Sequence, residues 1–325
     1  MNTEKQVARL IQRAFDRLKP QDAGAEGNLR IAEALDGASA LLEDALEADY
    51  DNEEVKCFLS SVAWWRERLP QMEGIADPFD RGEFILSKIR QYHAFLDNLP
   101  YRDDLCQYMI KRFVFSCALG CFAEIIGGAA NNHDPGLLLL VGRCYKGVGI
   151  YVEALRYVEQ ATRFRREDAE TLAELADVNA LLGEDETAKA LFREAFFLSP
   201  ERIDLQMMES DLILRLRNKI LREKGFREEE LREWMPVYGK LWGVFSIRRA
   251  LKPAELTRLK QSIYNMETEC RGNPGRGAAL KPRLINRYFW LIDHYDDNGE
   301  DPSLREEVLL KIKFTDPEIY ERYVQ

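Results

Sequence analysis

The sequence predicts an all-α fold, a solenoid of helix–turn–helix repeats. Three observations carry that reading. Residues Leu138 to Pro200 hold two consecutive copies of one 34-residue unit. Apolar residues elsewhere recur at helical spacing. No stretch shows strand-like alternation, and no hairpin signal occurs.

In the first copy Leu138, Val141, Gly142 and Tyr145 share one helical face. Gly149 breaks the chain, and Tyr151, Ala154, Val158 and Ala161 follow on a second helix. Adding 34 to these positions reaches Leu172, Leu175, Ala176, Asn179, Gly183, Asp185, Ala188, Phe192 and Ala195, closed by Pro200. The pattern resembles the tetratricopeptide repeat, a helix–turn–helix unit of that period. The family's small residues fall at Gly142, Ala154 and Ala161, then at Ala176, Ala188 and Ala195. Asn179 departs from the family's aromatic, and Arg166 stands where Pro200 stands one period on. Helices that cross closely need small side chains, so Gly142 is expected to face Ala154, and Ala176 to face Ala188. One unit cannot bury its apolar stripe alone, so units must stack.

The flanks carry weaker copies. Gln6 to Leu18 reads as a first helix, striped by Val7, Leu10, Ile11, Ala14 and Leu18, and a break runs from Lys19 to Gly27. A further unit begins near Leu29, with Ala38, Leu42 and Ala45 at second-helix positions. Glu53 to Arg68 opens the next, and a helix from about Asp80 to Leu96 closes it through Gly82, Leu86 and Ile89. Trp64 and Trp65 are consecutive and cannot share a helix face, so one is expected in the core and the other is a candidate ligand contact. Tyr101 to Asn132 reads as two helices, with Ala123, Ala130 and Pro135 at repeat spacing. After Pro200 a long helix is expected from Glu201 or Arg202 to Lys224, stopped by Gly225. Glu228 to Phe245 is helical with a kink at Pro236, and Pro253 to Cys270 forms the next helix. A loop from Arg271 to Gly277 then leads to helices at Pro282–Asp293 and Pro302–Lys313. Three regions result: degenerate repeats over 1–100, the central repeats and a long connecting helix over 101–225, and a C-terminal helical region over 226–325.

Function is less legible. The net charge of −10 argues against general nucleic-acid affinity. The chain opens on an amphipathic pattern with no apolar leader, which predicts a cytoplasmic protein. The apolar run from Phe113 to Ala130 carries Glu124 and two glycines, and reads as buried helix rather than a membrane span. Six cysteines form no CxxC and read as small buried residues in a reducing compartment. No HExxH, GxSxG, dinucleotide fingerprint or zinc spacing is present, so no catalysis, cofactor or metal is expected. His294 to Asp301 does not match a calcium loop, because His294 and Arg305 would occupy positions that require acids.

In the tetratricopeptide family ligands lie along a concave face lined by first helices. That resemblance implies a groove holding Leu139, Arg143 and Lys146, then Glu170, Ala173 and Asp177. Continued past Pro200, the register adds Asp204, Met207 and Asp211. Glu170 beside Asp204, and Asp177 beside Asp211, would make an acidic trough floored by Leu139, Ala173 and Met207. It suits a basic or amphipathic segment of a protein partner. The chaperone-binding members' carboxylate clamp is not matched, because Leu139 and Glu174 stand at clamp positions. The expected function is therefore a non-catalytic interaction scaffold. The alternative is a phosphate or nucleic-acid site at Arg271, Arg276, Lys281, Arg283 and Arg287, a run of cations without an intervening acid.

Overall fold

The computed structural model describes residues 2–19, 27–126 and 134–325. The chain folds as two compact units, Met1–Ala161 and Thr162–Gln325, so the division falls inside a repeat helix. All regular structure among the described residues is helical.

The first unit holds α1 (Asn2–Arg17), α2 (Gly27–Ala48), α3 (Glu53–Arg68), α4 (Pro78–Asp97), α5 (Asp104–Ile126), α6 (Pro135–Val148) and most of α7 (Tyr151–Phe164). The stripe on α1 is buried as the spacing required, with Ala14 and the following Leu18 fully enclosed. Ala38, Leu42 and Ala45 are buried too, but α2 is one unbroken helix, so the unit expected from Leu29 is not a hairpin. Asn52 caps α3 by accepting a hydrogen bond from the Val55 N–H, which fixes its start one residue later.

A second correction concerns α5. The sequence reads as two helices over Tyr101 to Asn132, yet one helix runs from Asp104 to Ile126. The run from Ile110 to Phe122 contains no turn signal, and Ala123 is exposed instead of serving as a repeat anchor. Ala130 and the rest of 127–133 lie outside the described residues. Helix α5 packs on α2, α3, α4 and α6, and so forms the centre of this unit. Two glycines let its neighbours close on it. A Cβ on Gly82 of α4 would lie 2.4 Å from Phe122, and one on Gly147 of α6 would lie 2.2 Å from Phe115.

The second unit holds α8 (Ala169–Leu181), α9 (Asp185–Leu198), α10 (Asp211–Lys224), α11 (Glu228–Leu241), α12 (Pro253–Gly272), α13 (Pro274–Asn298), α14 (Pro302–Thr315) and α15 (Pro317–Val324). Helix α13 packs on α9, α11, α12 and α14, with Ile285, Tyr288, Phe289 and Ile292 in the core. Pro236 is accommodated inside α11, and Gly225 ends α10 at φ 64°.

The 34-residue period is visible in the local geometry of both copies. Asp134 caps α6 and Asp168 caps α8. Gly149 and Gly183 take φ of 89° and 85°, a left-handed turn open to glycine at little cost. Helices α7 and α9 begin and end 34 residues apart. Within the first copy a Cβ on Gly142 would lie 2.4 Å from Val158 and 3.3 Å from the Ala154 carbonyl, the close crossing the small residues called for. Asn179, at the aromatic position, returns its side-chain amide to the Leu175 carbonyl at 2.7 Å.

Candidate functional site

Helices α3, α4 and α5 of the first unit enclose a cleft of about 240 Å³. Trp65 comes from α3, Tyr92 and His93 from α4, and Tyr108, Lys111 and Phe115 from α5. Its inner wall is an aromatic cluster. The Trp65 ring stands 4.8 Å from Trp64 and 5.3 Å from Tyr92, in edge and tilted contacts. Both tryptophans are buried, because Tyr92 and Phe95 of α4 cover the pair. Both are therefore core residues, although one was the candidate ligand contact. Arg68 stacks on Trp64 at 4.1 Å, while Trp65 is the one that reaches the cleft. The Trp65 indole N–H is buried without a hydrogen-bond partner.

The lining mixes Tyr108 with the polar His93, Gln107 and Lys111, and exposed apolar side chains stand nearby. Tyr108 is 43% exposed, and Leu105, one turn earlier on α5, is 51% exposed. The α6–α7 turn lies alongside, since a Cβ on Gly149 would sit 3.8 Å from the Tyr108 hydroxyl. Ile150, the next residue, is exposed as well. Arg112 lies over the Tyr108 ring at 5.4 Å. Burial pushes the Tyr92 hydroxyl well above the ordinary tyrosine range.

The expected groove residues occupy other settings. Leu139, Arg143 and Lys146 on α6 are all buried. Ala173 on α8 is buried and Glu170 is half-buried. Past Pro200 the projected helix does not form. Pro200–Arg202 makes one 3₁₀ turn, 203–210 is non-helical, and α10 starts only at Asp211. Asp204 and Met207 are therefore not one helical turn apart, and the two acidic ladders lose their geometric basis. Asp177 explains the interruption. Its carboxylate is fully buried and accepts the Glu209 and Ser210 N–H groups, each at 2.9 Å. It anchors the connection into α10 instead of facing a ligand. Asp211 remains on the surface, 79% exposed, and pairs with Arg215.

The basic segment is not a loop. Helix α12 runs to Gly272 and α13 begins at Pro274, whose missing N–H suits a helix start. Arg271 belongs to the last turn of α12 and lies 3.8 Å from Glu267. Lys281 meets Asp316 at 2.7 Å, and Arg283 is held by Glu233 and Glu201. Arg287 donates to Ser262 Oγ at 2.7 Å and stacks over Phe197. Burial, aided by neighbouring Arg283, lowers Arg287 to about 10. The Arg276 side chain lies outside the described residues. Lys281, Arg283 and Arg287 are thus partnered within the second unit, while Arg271 stays on the surface, 73% exposed.

That unit also contains a buried ionic centre that no sequence pattern announced. Asp293 on α13 is met by Arg193, by Lys240 at 2.8 Å and by Arg248 at 3.2 Å. Arg193 also lies over Trp290 and donates to the Ile247 carbonyl. Burial lowers Lys240, and Asp293 opposes the shift. Its residues come from four separate segments, so only the fold could assemble it. Among the described residues no cluster of His, Cys, Asp and Glu suits a metal ion, and no helix is long and apolar enough to cross a membrane.

Comparison of the chain with protein-family models and with the curated proteins finds no match to either.

Proposed function

We propose that the protein is a non-catalytic interaction scaffold of the tetratricopeptide kind, working in the cytoplasm. It takes an amphipathic helical segment of a protein partner. The observation that carries this reading is the aromatic-walled α3–α4–α5 cleft, with the exposed Leu105, Tyr108 and Ile150 close by. A volume of about 240 Å³ falls below the ~300–1,000 Å³ of small-molecule and cofactor sites. It suits one bulky anchor side chain, with Leu105, Tyr108 and Ile150 receiving the residues one turn away. Aromatic-lined pockets of this kind are where interface energy concentrates. Lys111 and Arg112 favour acidic residues beside the anchor. The repeat geometry at 134–200 supports the family reading, through the paired caps, the paired left-handed glycines and the close crossing at Gly142. The partner is amphipathic rather than basic, since Asp177 is anchored to the connection into α10 and Asp211 pairs with Arg215 on the surface.

The test is an affinity capture from native lysate with wild type and with Leu105→Glu/Tyr108→Glu. Both positions are exposed, so the variant keeps its helical signal. The reading expects a partner lost from the variant, and a synthetic amphipathic segment of that partner that shifts Trp65 fluorescence. Equal recovery by the folded variant would overturn it.

A further inference from the structure

Helix α14 is apolar on two opposite sides. Val308, Leu309 and Ile312 pack into the core of the second unit. The outward side carries Leu310, 51% exposed, and Phe314, 86% exposed. No large apolar side chain among the described residues is more exposed than Phe314. Leu310 and Phe314 stand four residues apart, so they share one helix face. Glu306, Glu307 and Lys313 are exposed on the same side. The outward faces of other surface helices are polar. Helix α1 presents Arg9, Arg13 and Asp16, and α10 presents Arg215, Asn218 and Arg222.

The charges on the α14 face are divided along its length. Glu306 and Glu307 lie in the N-terminal half, and Lys313 lies in the C-terminal half. Arg305 is drawn aside to Asp296 of α13 at 3.2 Å, so it does not offset the acids. A face with apolar residues at its middle and end, acids on one side of them and a cation on the other, is complementary to itself when reversed.

We propose that a second copy of this chain docks on this face, α14 against α14, antiparallel about a two-fold axis at Leu310. Such an axis makes the contact isologous, with the same patch used by both copies. Leu310 meets its own counterpart. Phe314 covers the partner's Leu310 and the stem of the partner's Glu306. Lys313 meets the partner's Glu307, and the symmetry repeats that pair. A parallel arrangement sets acid against acid and cation against cation, so the charges select the antiparallel one. Within its own chain Glu307 reaches Lys311 at 3.4 Å, and Lys313 leans over the Tyr320 ring at 5.2 Å. Both contacts lie at the surface, where such interactions are weak, so either side chain can turn to a partner at small cost. Helix α14 has 14 residues and spans about 21 Å. A contact of that length belongs among the small interfaces, and the dimer forms in a concentration-dependent way.

The experiment is sedimentation velocity on the full chain from about 1 µM to about 100 µM. The expected result is a monomer that shifts to a dimer as concentration rises. Leu310→Glu/Phe314→Glu should weaken the dimer by at least roughly tenfold. Glu307→Lys and Lys313→Glu each set like charges together twice, and each alone should weaken it by roughly fivefold. An equimolar mixture of those two variants brings every introduced charge against its opposite. It should restore association to the wild-type level as a heterodimer, read with a fluorescent label on one variant. All four positions are exposed, so circular dichroism should show wild-type helical content. The mixing arm decides even where the double variant does not fold. A chain that stays monomeric throughout, a dimer that survives Leu310→Glu/Phe314→Glu in folded form, or a mixture no stronger than its components would each overturn the proposal.

Discussion

Asp177 offers the sharpest separation between an anchoring and a ligand-facing carboxylate. Its two oxygens accept the Glu209 and Ser210 N–H groups at 2.9 Å in a fully buried setting. Hydrogen bonds to a charged acceptor are worth about 1.5–3 kcal/mol each, and one buried and one half-buried N–H group would be left without this acceptor. Asp177→Ala should therefore lower stability by roughly 3–5 kcal/mol. Asp177→Asn should fall between, because its amide keeps only one acceptor oxygen. Asp211→Ala is the control: its side chain is 79% exposed and its one ion pair, with Arg215, lies in solvent. The assay is urea unfolding by circular dichroism, with amide exchange read at Glu209 and Ser210. Those two amides should lose protection in Asp177→Ala alone. A wild-type midpoint for Asp177→Ala, or an equal loss in Asp211→Ala, would refute the anchoring role.

Three further outcomes follow from the packing and the charges. Gly147→Ala places a methyl 2.2 Å from the buried Phe115 ring and should cost about 1–3 kcal/mol, whereas Gly74→Ala meets nothing within 4 Å and should be neutral in the same thermal melt. Asp293→Asn leaves Arg193 and Lys240 buried without a counter-charge and should cost about 3–5 kcal/mol in urea; a loss below that of Gly147→Ala would contradict the role given to this carboxylate. Burial acts against ionisation of Asp168, but the Thr171 N–H and hydroxyl, with Arg202, hold its carboxyl below the ordinary range. Its contribution is then fully present above about pH 4–5 and lost as pH falls through the lowered value, so Asp168→Asn should flatten the acid limb of a stability–pH curve.

Much of the fold could be read from local signals. Asn52 and the apolar face behind it set α3 to the residue, and the glycines at 149 and 183 mark turns that few other residues accept. What failed to read was non-local. The period carried past Pro200 predicts a helix, but Asp177, thirty-two residues earlier, captures the Glu209 amide and holds the chain extended there. Arg271 to Gly277 has the composition of a loop, yet packing of α12 against α13 draws it into helix. The cleft assembles residues from 65 to 115 on three helices, so no single window contains it. Its one local trace was the Trp64–Trp65 pair.

The glycine contacts that seat α5 bear on how binding would proceed. Phe122 fills the space over Gly82, and Phe115, a wall of the cleft, fills the space over Gly147. Neither ring can swing aside without opening a helix contact, so the C-terminal half of α5 is held against α4 and α6. A receptor surface shaped before its ligand arrives loses little conformational entropy on association. The ordering cost then falls on the arriving segment, which must become helical. Partners that already hold that helix should bind tightest, and the difference should appear as slower release more than faster capture.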